Sequence, residues 1–351
     1  MRHHFSPSPT FPIAAAVGLG LLASLLFPMK ASSQISIGGG STISSGGWSL
    51  TGTDPIEIRW AGEVVTVYQT SASLPKPFFY PLIGPTGENV TRHYPMKEGV
   101  AHEATDHLHH RSLWFGIGSV NGLDFWHEPG SQGKEGTKFG RTVHTGLSST
   151  QIKGQEKAIV LKTGTDWLDH QTGAKICQDR RTIRLECRDD GGFALDFTVT
   201  LEASEGDVTL RDTEECGLAI RMMPSLQLEG PAAKGAARNS EGVTGRDVWG
   251  RRARWVSYDG EDSQGRALGI ALFDHPTSFR HPTWWHARHY GLCSSGPFGQ
   301  GHFEKDAPKT AGDHLIRQGD SLTLRYRVLI HAGKADAGKL EEEFRVFADT
   351  K

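Results

Sequence analysis

Sulfur and net charge are both scarce in this sequence. Four cysteines and five methionines among 351 residues are too few to make a disulfide scaffold of so long a chain. The cysteines, Cys177, Cys187, Cys216 and Cys293, show no zinc-binding spacing. A formal charge of -2 gives no reason to expect a polyanionic partner, so nucleic acid is not expected. After residue 33 no apolar run is long enough to cross a bilayer, and long 3.6-residue patterns are missing, which argues against a helical bundle. What is plentiful is glycine, 43 residues, together with 17 prolines and 17 histidines. Glycine and proline at that level interrupt helices and supply turns, so the chain reads as β-rich.

The one long apolar stretch is at the amino terminus. Arg2, His3 and His4 precede the run from Phe11 to Phe27, and the small residues Ala31-Ser32-Ser33 follow it. That order predicts a secretory signal over residues 1–33, with a membrane anchor as the alternative. Once the signal is removed, a periplasmic or extracellular protein with no membrane segment is expected. Residues 34–54 are a Gly/Ser-rich lead-in or a short hairpin, and residues 55–351 read as a single domain. In an oxidising compartment Cys177 and Cys187 either bridge neighbouring strands or stay free.

Strand patterns recur along that domain. Ile183, Leu185 and Cys187 alternate with Arg184, Glu186 and Arg188; Asp189-Asp190-Gly191-Gly192 supplies a turn; then Phe193, Leu195, Phe197, Val199 and Leu201 alternate with polar partners. Alternation on both sides of a Gly-rich turn predicts an antiparallel hairpin. Similar segments lie at Ile56–Tyr68, Ala158–Trp167, Val208–Leu210, Leu218–Met222, Leu268–Phe273 and Leu322–Ile330. A helix is predicted only at the end, where Leu340, Phe344 and Phe347 share one face,. The fold class is therefore all-β, a large antiparallel β-sandwich, with the mutarotase-like supersandwich as one version of it.

Ten of the 17 histidines fall in two short segments, 102–127 and 275–302. In the first, His107, His109 and His110 run into Trp114 and Phe115. If this stretch is extended, His107 and His109 share a face and His110 takes the other. Such a pair presents two imidazoles to one divalent metal ion or one substrate, with Glu103 or Asp106 as third ligand or orienting group. Asn121-Gly122 supplies a tight turn, after which Asp124, Phe125 and Trp126 return toward the histidines. Gly116 and Gly118 precede no helix, so they are not a phosphate loop.

The second segment, Asp274 to Gly291, carries His275 and His281 in two His-Pro-Thr repeats. Their prolines exclude a central strand and place both histidines in a loop. Trp285, His286, Ala287 and Arg288 resume strand spacing, with His286 and Arg288 on one face, and Tyr290 follows. Arg288 beside imidazoles suits an anion or a developing oxyanion. Between the segments lie Asp212, Glu214, Glu215 and Arg221, and Arg92 precedes the first. Glu215 and Asp124 are the first carboxylate candidates for acid/base work.

Three motifs, Asp106–Trp126, Val248–Gly260 and Ile270–Gly299, together resemble a bacterial secreted family of unknown function whose members often carry the label "methane oxygenase PmoA". The resemblance covers about residues 55 to 348. It implies a secreted protein of polymer-degrading bacteria, found beside sugar oxidoreductases, and hence a carbohydrate role. The positions matching the family pattern are His107, His109, His110, Asn121, Asp124, Trp126, His275, His281, His286, Arg288 and Tyr290. Leu108 departs from the pattern, which prefers proline there. Ser295-Gly296 also departs, standing where an Ala-Asn pair is usual. The label describes a membrane oxygenase subunit with several spanning helices, for which this sequence has no segments after its signal.

The leading expectation is a carbohydrate-active enzyme, a hydrolase, lyase or epimerase acting on a sugar, an oxidised sugar or an oligosaccharide. His107, His109 and His286 would be acid/base groups, Asp124 an orienter or base, and Arg288 the group that stabilises negative charge. His110, Asn121, Trp126, His275, His281, Trp285 and Tyr290 would contact the substrate, and His107 with His109 are the candidate metal ligands. A non-catalytic carbohydrate-binding protein is the rival from another class. A copper or iron redox protein, as the label would have it, is the third reading.

Overall fold

Alternating apolar residues pair off into two large antiparallel sheets in the computed structural model, which describes residues 42–131, 135–153 and 157–351. The expected signal segment lies outside the described residues. The first sheet has nine strands, in the spatial order Thr42–Ser45, Trp48–Thr51, Ile56–Trp60, Glu63–Gln69, Phe78–Leu82, Leu113–Ile117, Cys216–Arg221, Leu292–Ser295 and Trp285–Ala287. The second has eight, in the order Ala236–Asn239, Trp255–Glu261, Ala267–Asp274, Ser321–Ala332, Phe193–Glu202, Lys175–Cys187, Ala158–Asp169 and Gly140–Lys153. A small ribbon pairs Val208–Leu210 with His314–Ile316. The part of the Gly/Ser-rich lead-in that is described is a hairpin on the edge of the first sheet, with Trp48 and Leu50 buried.

The predicted hairpin forms with Phe193 opposite Cys187. Its turn is closed by the Arg188 N–H donating to the Gly192 carbonyl at 2.9 Å. Phe193, Leu195, Phe197, Val199 and Leu201 point between the sheets, where they meet Leu113, Phe115 and Ile117, Leu218 and Ile220. On its other face the eight-stranded sheet is covered by the C-terminal helix, Ala337–Ala348. Leu340, Phe344 and Phe347 of that helix pack on Ala194, Trp255, Ala271 and Phe273. Sheet faces and one amphipathic helix therefore account for the two larger apolar clusters, as the period-2 and 3.6-residue patterns require.

The core also holds a buried ion pair. Arg181 donates to both oxygens of Asp179 at 2.9 Å, and Asp179 accepts the Trp167 indole N–H at 2.8 Å. The Cys177–Cys187 bridge is ruled out by register. Both cysteines lie on the single strand Lys175–Cys187, ten positions or roughly 33 Å apart, and all four cysteines are free.

A third, smaller cluster lies on the outward face of the nine-stranded sheet, where Phe78, Trp114, Trp126, Ala219 and Leu292 pack together with Tyr80 and Tyr290. The residues that point outward here are small along part of each strand: Gly116, Gly217, Ala219 and Ser294. Loops can therefore lie close on this face, and both histidine segments send residues to it.

Candidate functional site

The stretch from His107 to His110 is a turn, not the extended segment its spacing predicts. His107 has φ +45°, and its carbonyl accepts the His110 N–H at 3.0 Å. The cause lies upstream. The buried Arg92 guanidinium donates to the carbonyls of Ala104, Asp106 and His107 and to the Asp106 carboxylate, at 2.6 to 3.1 Å. Those bonds wrap the loop around one cation, so the strand begins only at Leu113. The rings gather instead of alternating. His107 stacks on His110 with centroids 4.7 Å apart, and His109 meets His110 edge-on at 4.4 Å.

His110 is buried over Trp114, and its Nδ1 lies 3.0 Å from Arg221 Nη1. An arginine can only donate, so Nδ1 accepts and the proton sits on Nε2. Burial first, then the charges of His109, Arg221, His107 and Arg92, hold His110 neutral far below the usual imidazole range. His109 is fully buried, and burial together with the Lys76, His127, His107 and Arg92 charges pushes its pKa strongly down as well. Among the described residues neither ring nitrogen of His109 has a hydrogen-bond partner. Buried imidazole nitrogens left unpaired are uncommon.

The ring of His109 lies 4.2 Å from that of His127, a residue sequence reasoning counted in the cluster but gave no role. Asp124 holds His127 in place there. Its Oδ1 accepts the Trp126 and His127 backbone N–H groups at 2.8 and 2.9 Å, and its Oδ2 lies 2.9 Å from His127 Nδ1. The other nitrogen of His127 is 3.5 Å from Glu215 Oε1. Burial opposes a charge on His127, but the Asp124 hydrogen bond and the two carboxylates prevail and raise its pKa. Gly116 makes room for this segment, since a Cβ there would lie 2.9 Å from the Phe125 carbonyl.

Glu214 and Glu215 are consecutive in a bend just before the strand Cys216–Arg221. Glu214 Oε2 lies 3.2 Å from His286 Nδ1. Burial raises the Glu215 pKa, outweighing the nearby His127 and His286. Burial acts the same way on Glu214, but the His286 hydrogen bond and the His286, Arg288 and His302 charges outweigh it and bring that pKa down. Two adjacent carboxyls thus face two histidines and are driven in opposite directions. Beneath them Lys76 is almost fully buried and donates to the Trp126 carbonyl; burial pulls its pKa down to about 8.

From the second segment, His286, Arg288 and Tyr290 join this group. The half-buried Tyr290 ring stacks on His107 at 5.4 Å, with the Arg221 guanidinium 4.4 Å and the Arg288 guanidinium 5.5 Å from its centre. Five other expected contacts lie elsewhere or face inward. Asn121 is exposed, its side chain bonded to Thr209 N–H and the Asp207 carbonyl. Trp126 is fully buried beneath the loop, and Trp285 is fully buried and donates to the Ala253 carbonyl. His275 packs edge-on against Phe347, and His281 bonds Asp274 at 2.8 Å while stacking on Phe344. Those two histidines anchor the C-terminal helix, so the His-Pro-Thr repeats are structural.

Among the described residues no three His, Cys, Asp or Glu side chains converge as a metal site would require,. Also among the described residues, no helix is long and apolar enough to cross a membrane.

No curated protein matches the sequence significantly. Among solved structures the chain is similar to a Klebsiella pneumoniae protein that carries the name aldose 1-epimerase, at 10% identity and TM-score 0.40, over 89% of this chain and 93% of that one. It is also similar to a galactose mutarotase-like protein from Clostridium acetobutylicum, at 9% identity and TM-score 0.33, over 83% and 94% of the two chains. A GalM/aldose epimerase homologue from C. elegans follows at 8% identity and TM-score 0.29, over 87% and 100%. Likeness at this level carries nothing about chemistry. Residues 55–345 match the profile of a family of unknown function (DUF6807), and the chain belongs to that family.

Proposed function

We propose that the chain is a carbohydrate-active enzyme that works by proton transfer, in the manner of an epimerase or lyase, on a sugar or oxidised sugar. The observation that carries this reading is the Glu214–Glu215 pair, whose neighbouring carboxyls are driven to opposite protonation tendencies, each against its own histidine. A carboxyl whose pKa is raised is the stronger base once ionised, and Glu214, whose pKa is lowered, keeps its negative charge facing His286. Glu215 removes a proton from a carbon beside a carbonyl. The C–H electron pair moves into the carbonyl, and Arg288 holds the oxyanion that forms. Reprotonation of that carbon by solvent water on the opposite face, with Glu215 releasing its proton to solvent, gives the epimer, whereas expelling a substituent from the next carbon gives elimination. Asp124 keeps His127 oriented, and the neutral, buried His109 packs against the His127 ring.

The sugar assignment is supported by the polar groups gathered around Tyr290, where Arg221, Arg288 and His107 lie over its ring and suit the hydroxyls and carboxylates of a sugar or oxidised sugar. The copper or iron reading that the family label brings is not adopted, because the donor set does not gather.

Proton NMR in D2O, run over a panel of aldoses, uronic acids and keto-sugars, follows anomer interconversion, C–H exchange and elimination together. One of these with at least one sugar, lost in Glu215→Gln, is the expected result. Saturable sugar binding that survives Glu215→Gln, with no exchange and no product across the panel, would make the chain a binding protein.

A further inference from the structure

A second concavity lies apart from the histidines, along the edge strand Ala236–Asn239 of the eight-stranded sheet. It encloses about 770 Å³, a volume ordinary for a ligand site and more than a single sugar fills. Its floor includes Leu228, Ala236 and Ala237, and four cations line it: Lys234, Arg238, Arg246 and Lys334.

This cleft runs toward the candidate site. A smaller hollow of about 220 Å³ is lined by Arg246, Trp249, Ala287, Arg288 and His289. Arg246 therefore lines both hollows, and Arg288 belongs both to the smaller one and to the histidine site. The backbone joins them as well, because the Leu228 N–H donates to the His289 carbonyl at 2.8 Å. The partition at Arg246 is its ion pair with Glu229, whose side chains are 60% and 48% exposed. An exposed pair of this kind is weak and easily exchanged for a ligand anion. Trp249 is half-buried, packs edge-on against Phe303 at 5.5 Å, and has its indole N–H unpartnered within the protein.

We infer that the substrate is a linear acidic oligosaccharide, whose reacting unit lies beside Arg288 and whose distal units run past Trp249 into the cleft beside Ala236. Trp249 offers an aromatic face midway. Five cations, Lys234, Arg238, Arg246, Lys334 and Arg288, line the path against the carboxylates Glu229, Asp259 and Asp336 and the Glu261 that pairs with Lys234, a positive excess that favours units carrying carboxylates. The inference rests on the proton-transfer reading only in deciding which end of the chain reacts.

Calorimetric titration with galacturonic acid and its tetramer, and with glucose and cellotetraose, tests it. The tetragalacturonate is expected to bind at least tenfold tighter than the monomer. Trp249→Ala and Ala236→Trp, the second of which fills the cleft at an exposed position, should each collapse that ratio toward one. Circular dichroism and thermal unfolding establish that each variant is folded before its ratio is read. Equal affinity for monomer and tetramer, an unchanged ratio in both variants, no binding of either acidic ligand at millimolar concentration, or an equal length gain with the glucose series would each overturn the inference. A length gain without any proton exchange leaves the groove standing and removes the catalytic reading. Exchange without a length gain does the reverse.

Discussion

Replacing Asp124 with asparagine tests the centre of the site. The amide keeps the side chain's shape, and its oxygen still accepts the Trp126 and His127 N–H groups that Oδ1 serves at 2.8 and 2.9 Å. What is lost is the charge facing His127 Nδ1 at 2.9 Å. A hydrogen bond to a charged group contributes about 1.5–3 kcal/mol and a neutral one about 0.5–1.5, so the loss is about 1–2 kcal/mol. The His127 side chain is only 13% exposed, so little of this is screened. Its pKa is raised in the folded protein above the ordinary imidazole value of about 6.5,. The pairing therefore stabilises fully below that value and fades as pH rises through the folded pKa. Urea unfolding should show Asp124→Asn destabilised by about 1–2 kcal/mol at pH 6 and by a few tenths at pH 9. His127, followed by NMR in histidine-labelled protein, should titrate at lower pH in the variant than in the wild type. Asp124→Ala strands two backbone donors in addition, and loses about 1–3 kcal/mol more at both pH values. The same loss at pH 6 and pH 9 for Asp124→Asn, with an unmoved His127 titration, would refute the Asp124–His127–Glu215 arrangement.

Glu215→Gln should lower kcat by about 10²–10⁴-fold with little change in sugar affinity, the range that loss of one general acid or base produces; a rate within twofold of wild type removes Glu215 from the mechanism. In the wild type, activity should fall on the acid side as pH drops through the raised Glu215 pKa, and that limb should disappear in the residual rate of Glu215→Gln. Thiol titration in urea without reductant should return four free thiols per chain, whereas two would contradict the placement of Cys177 and Cys187 on one strand.

The fold was legible because most of its elements obey a single period. The strands flanking the Gly191 turn, and the helix carrying Leu340, Phe344 and Phe347, bury the residues their patterns mark. Where the pattern misled, a neighbour distant in sequence had intervened. Cys177 and Cys187 looked like partners on adjacent strands only because nothing local fixes the length of an edgewise β-ribbon; the strand from Lys175 simply continues through both. The Asp179–Arg181 pair breaks an inward apolar row, and its partners, Trp167 on the next strand and Tyr68 on the opposite sheet, are invisible from local sequence.

The site shows the same division more sharply. That His107, His109, Asp124, His286, Arg288 and Tyr290 converge was readable from histidine density, since both dense segments border strands of one sheet. How they converge was not, because the premise of alternation failed. Arg92, 15 residues before His107, takes up the loop carbonyls and turns an H-x-H strand into a stack of rings. Glu214 and Glu215 make the complementary point. On a strand, consecutive side chains point to opposite faces, so two adjacent glutamates cannot serve one site. They do so here because the strand starts at Cys216, one residue later, and the bend before it lets both carboxyls reach the outward face, one to His286 and the other to His127. A two-residue shift in where that strand begins would leave every residue of the site present and separate the two carboxyls.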